Sequence, residues 1–132
     1  MNRKQLFKKY YAPELLRIAE TDLDAAILLQ GTKKARAETV VFHVQQCIEK
    51  SIKAVLCHTE TPLLLIHDLG SLLGCLPEGM LPKEGYTLTR FNDYAGILRY
   101  EEGRAILTHE DTAAAIEVGQ SVLDWAKGHL AS

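Results

Sequence analysis

Apolar residues recur along this chain at intervals of three and four, the period of helices that each bury one stripe. Leu16, Ala19, Leu23, Ala26 and Ile27 form the first such set, and Gly31 stops it. Pro13 belongs in the first turn of that helix, where an N–H is not needed. After a short basic connector at 33–36, a second helix is predicted from about Ala37 to about His58. It carries Val41, Val44, Ile48, Ile52 and Val55 on one face and ends before the breaker Thr59-Glu60-Thr61-Pro62. So short a connection predicts an antiparallel hairpin.

Beyond Pro62 the apolar run Leu63 to Ile66 gives way to His67-Asp68-Leu69. There an imidazole or carboxylate can cap a short helix bearing Leu69, Leu72 and Leu73, which Pro77 ends. Prolines and glycines make 77–85 a loop. Helical spacing resumes from Thr87 to Arg99 through Leu88, Phe91, Ala95 and Leu98, until Gly103. Thr108-His109-Glu110-Asp111 resembles a capping box and opens a last helix to about Leu130, its core face holding Ala115, Val118, Val122, Trp125 and Ala126. Strand-like alternation is missing, and no repeat is seen. The fold class is therefore all-α, a helical bundle of four main antiparallel helices plus a short additional helix, in a single domain over residues 1–132.

Composition narrows the function. A net charge of −2 provides no global field for a polyanion, so any nucleic-acid contact must be local. The apolar runs fall far short of a membrane span and no signal-peptide pattern follows Met1, which makes a cytoplasmic protein the expectation. Cys47, Cys57 and Cys75 lack CxxC spacing and are expected as reduced core residues.

The second helix carries the candidate chemistry. His43, Gln46 and Lys50 fall within roughly 60° of one another on the flank of its apolar face, with Lys53 at the edge. Lys50 and Lys53, joined by Arg99, can clamp phosphate oxygens through charge-assisted hydrogen bonds, with Gln46 and His43 as neutral donors and His67 nearby. The plainer alternative makes Glu49 and Lys53 a surface i, i+4 pair, leaves Lys50 solvated, and has Gln46 and His43 cap a loop or line a dimer seam. Asp22 and Asp24 are expected to project from the other faces of the first helix.

Three segments in order are similar to the HEPN domain family in its compact prokaryotic form. Ala19-Glu20-Thr21-Asp22-Leu23-Asp24-Ala25-Ala26 resembles its opening helix, and Phe42-His43-Val44-Gln45-Gln46-Cys47-Ile48-Glu49-Lys50-Ser51-Ile52-Lys53-Ala54 its second. His67-Asp68-Leu69 resembles the start of its third helix, and Asn92, Tyr94 and Arg99-Tyr100 its Arg-Tyr helix, although Glu101-Glu102 follows where relatives often have Pro-Asp. The resemblance implies a homodimer associated with nucleotide or RNA binding, and a small nucleotidyltransferase as partner.

It also implies an alternative, a metal-independent ribonuclease toxin built on an Arg, four to six residues and a His before the last helix. Arg104 and His109 fit that spacing, with roles for the phosphate charge and the proton. So do Arg36 and His43, and roughly 0.7 such matches are expected by chance. Ala105 follows Arg104 where the pattern has a polar residue, and the expectation is that the chain is not an enzyme. A third reading is a non-catalytic dimerisation module, for which the last helix with Trp125 is one surface. No cofactor is expected, and no metal, because His43 and Cys47 lack a second ligand pair.

Overall fold

The computed structural model describes residues 4–64, 67–95 and 107–132, with the backbone alone at 64 and 93–95. Its elements follow the hydrophobic period closely. Helix α1 spans Tyr11–Gln30, α2 Ala37–His58, α3 Leu69–Cys75 and α4 His109–Leu130. Pro13 lies in the first turn of α1, and Gly31 is its C-cap. Asp68 caps α3, its carboxylate accepting from the backbone N–H of Ser71 at 3.3 Å. At α4 the capping box is complete: Thr108 Oγ1 accepts from Asp111 N at 3.1 Å, and Asp111 Oδ2 accepts from Thr108 N at 2.8 Å. Together these three bonds satisfy backbone donors that a helix start leaves open.

Two differences from the expected architecture are local. Over Gly85–Ala95 the chain forms a 3-10 helix rather than an α-helix. Leu88 and Phe91, three residues apart, bury one side of it, and that spacing fits a three-residue turn as well as a 3.6-residue one. The remainder of the expected helix to Arg99 lies outside the described residues. A two-residue antiparallel pair joins β1 (Lys4–Gln5) to β2 (Leu63–Leu64), with Gln5 opposite Leu63 and Lys4 opposite Leu64. Lys4 and Gln5 are exposed, so β1 joins the bundle at its surface, while Leu63 of β2 is buried in the core.

Helix α2 is the axis of the bundle, packed by α1, α4 and the 3-10 helix. Val44, Ile48, Ile52 and Val55 are fully buried, each stabilising the fold by about 1.5–3 kcal/mol through area removed from water. On α4, Ala115, Val122 and Ala126 face the core as expected, joined by Gly119 and Leu123, while Val118 and Trp125 are half-buried. Trp125 packs edge-on against His129 at 5.3 Å. Exposed apolar surface lies instead on α1, at Ile27 and Leu28, and around Leu6, Tyr10 and Tyr11. All three cysteines are free and buried. Burial pushes the Cys47 thiol up to about 12, which removes it as a thiolate ligand or nucleophile near neutral pH. No helix among the described residues is long and apolar enough to cross a membrane.

Candidate functional site

The polar flank of α2 is divided between two carboxylates. Asp22, on α1, accepts from Lys50 Nζ at 2.7 Å and stands 4.0 Å from His43 Nδ1. The second distance is too long for a hydrogen bond, and His43 Nδ1 is buried with no hydrogen-bond partner among the described residues. Asp22 is therefore an ion-pair partner carried from the neighbouring helix, 28 residues away in sequence, and it does not project into solvent.

Glu49 organises the other half. It is 2% exposed and gathers three donors. Lys53 Nζ lies 3.0 Å from Oε2, Gln45 Nε2 3.1 Å from Oε1, and His67 Nδ1 3.0 and 3.1 Å from the two oxygens. Gln46 Nε2 donates to Gln45 Oε1 at 2.6 Å and joins Gln46 to the same network. Burial raises the Glu49 carboxyl pKa, but Lys53 and His67 outweigh it and hold the group below its ordinary value. An ionised carboxylate only accepts, so in the neutral imidazole Nδ1 carries the proton and Nε2 is the acceptor. The His67 side chain is 75% exposed, which leaves that acceptor on the open side of the network.

Thus His43, Gln46, Lys50, Lys53 and His67 are brought onto one polar flank, though not as free donors. Among the described residues each lysine directs one of its three N–H groups to a carboxylate and the other two meet no partner. The Glu49–Lys53 pair is no surface pair: their side chains are 3% and 17% exposed. Paired cations of this kind can receive an anion at modest affinity, in an orientation fixed in advance by the carboxylates. Residues that sequence reasoning left out are Asp22 and Glu49 as anchors and Gln45 as the buried link. For Gln45 and Glu49 the signal was their helical spacing with Lys53, one turn apart on one side of α2, whereas Asp22 on α1 carried none.

The start of α3 is tied to the 3-10 helix beside this flank. Asn92 Oδ1 accepts from Leu69 N at 2.8 Å, and its Nδ2 donates to Asp68 Oδ1 at 2.8 Å. The hydroxyl and backbone N–H of Ser71, with Asn92, hold the Asp68 carboxyl below its ordinary value. Arg99, Tyr100 and Arg104 lie outside the described residues, and Tyr94 is described by its backbone alone.

His109 is elsewhere. It is the exposed first residue of α4, beside a cavity of about 180 Å³ lined by Gln30 at the end of α1 and by residues of the α1–α2 connection, including Lys33. Gln30 Nε2 donates to Thr112 Oγ1 at 3.0 Å there. Arg36 pairs with Glu38 at 3.6 Å. Among the described residues no group of three or more His, Cys, Asp or Glu is placed to hold a metal ion.

No curated protein matches the chain significantly. Among solved structures, the crystal structure of an archaeal HEPN homologue superposes with a TM-score of 0.68 at 25% identity, over 90% of this chain and 97% of that one. The sequence model of the HEPN domain matches residues 12–129, a span that takes in α1 to α4 and the whole polar flank of α2. An all-helical arrangement shared with that homologue and a family match across nine-tenths of its length place this chain in the HEPN domain family.

Proposed function

We propose that this protein is a nucleotide-binding HEPN domain that acts as a homodimer and serves as partner to a small nucleotidyltransferase. The observation that supports this reading most is the α2 flank, where Asp22 holds Lys50 beside His43 and Glu49 holds Lys53 and His67. The phosphate of the nucleotide rests against Lys50 and Lys53, Arg99 contributes a further cation to its binding, and Gln46, His43 and His67 orient it. Because the lysines are half neutralised by their carboxylates, affinity is modest and falls with salt. A thermal-shift panel of nucleoside mono-, di- and triphosphates tests it. At a ligand concentration about 100-fold above Kd, binding to the folded state adds roughly 2.7 kcal/mol. No stabilisation by any nucleotide in the panel refutes the reading.

The homodimer is expected to use exposed apolar surface such as Ile27 and Leu28 of α1. Sedimentation at micromolar concentration should give twice the 14.7 kDa chain mass. A 14.7 kDa species throughout would contradict it.

The ribonuclease reading gains no support from His109, an exposed helix-start residue set at a different cavity from the α2 flank. Incubation with single-stranded and structured RNA should produce no cleavage that depends on His109. Cleavage abolished in both His109→Ala and Arg104→Ala, with both variants folded, would reverse that assignment.

A further inference from the structure

A second cavity opens on the other side of Lys53. It has a volume of about 440 Å³ and is lined by Phe7, Tyr11, Leu15, Cys57, Leu63 and Lys53, with Glu14 at its edge. The size lies within the range of about 300–1,000 Å³ typical of small-molecule sites. Its walls are apolar, and burial raises the Cys57 thiol pKa and so keeps the thiol neutral. Phe7 and Tyr11 meet edge to face, with centroids 6.4 Å apart and rings at 86°. Tyr11 is 45% exposed, so its ring borders the opening and is not part of the core. One residue is common to this cavity and to the α2 flank: Lys53, whose Nζ sits on Glu49 beside His67.

We infer that this cavity is the subsite for the planar heterocyclic base of a nucleotide whose phosphate rests on the α2 flank, with Lys53 at the junction. The inference builds on the nucleotide-binding reading above and adds where the base goes. A flat ring suits apolar walls and an aromatic edge, because every base offers a π-face. The polar groups at the rim, the Lys53 ammonium and the Glu14 carboxylate, supply donors and an acceptor. A base edge carries both kinds of partner beyond the pairs these groups already make with Glu49 and Arg17, and an acyl chain carries neither. Glu14 is positioned by Arg17, whose Nε donates to it at 3.2 Å.

Calorimetry with AMP, GMP, adenosine and ribose 5-phosphate separates the base from the phosphate. The wild type should bind at least one of the two nucleotides about tenfold more tightly than ribose 5-phosphate. Tyr11→Ala should bring that nucleotide down to the ribose 5-phosphate level without changing ribose 5-phosphate itself, and Tyr11→Phe should retain the preference. Nucleotide affinity equal in wild type and Tyr11→Ala would overturn the base subsite and leave the phosphate reading standing. Adenosine binding as tight as AMP and lost in Tyr11→Ala would do the reverse. Absence of binding by all four compounds would refute both.

Discussion

Replacing Glu49 by alanine should lower the free energy of unfolding by about 3 kcal/mol. The carboxylate is 2% exposed, and its removal strands two groups that water does not easily reach. Gln45, fully buried, loses the acceptor of its Nε2, and Lys53, with a side chain 17% exposed, keeps an ammonium with no counter-ion. His67 adds little to the loss, because a 75% exposed imidazole regains water. Glu49→Gln preserves shape and one acceptor and should cost less. The pH dependence follows from the lowered folded pKa. A carboxyl whose folded value lies below its unfolded one stabilises fully above about pH 4.5, and the effect fades as pH falls through the folded value. Urea melts across an acid series should show this component in the wild type and its absence in Glu49→Ala. Equal stability of the two proteins at pH 7 would contradict the role given to Glu49.

Gly119→Val should destabilise by a comparable amount, about 2–3 kcal/mol, by forcing apart three helices. A Cβ built at Gly119 of α4 lies 3.1 Å from Leu23 Cδ1 of α1 and 3.1 Å from Val44 Cγ1 of α2. Both neighbours are buried, so neither can swing into solvent. Alanine sets two effects against each other: a gain in helix propensity of about 1 kcal/mol against contacts tighter than normal packing allows. Its net cost should be small. Valine adds two methyl groups at the same point with no further gain in propensity, and overpacking prevails. Denaturant midpoints should fall in the order wild type, Gly119→Ala, Gly119→Val, and a valine variant as stable as the wild type would show that α4 packs differently.

Most of the fold was legible because its determinants are local. The stripe Val41 to Val55 set α2, and Thr108 with Asp111 and the Asp68 cap set two helix starts, each from neighbours in sequence. The 3-10 helix was not legible, since Leu88 and Phe91 satisfy either helical period. Nor was the β1–β2 clip, because two residues are too few to alternate. At the site, sequence gave His43, Gln46, Lys50, Lys53 and His67 as neighbours, yet it missed what holds them. The i, i+4 spacing of Glu49 and Lys53 is identical on a wet or a dry face, and the contact of His67 with Glu49, 18 residues apart, comes from tertiary packing. Asp22 meets Lys50 through the pairing of α1 with α2, a tertiary contact that periodicity does not encode.

Titration calorimetry at low salt reads whether the α2 flank receives the phosphate of a nucleotide. The nucleotide giving the largest thermal shift should bind the wild type and bind Lys50→Ala and Arg99→Ala about tenfold more weakly, the loss expected for one charge-assisted contact. Unchanged affinity in both variants, with each still folded, would contradict phosphate binding there and move the site away from α2.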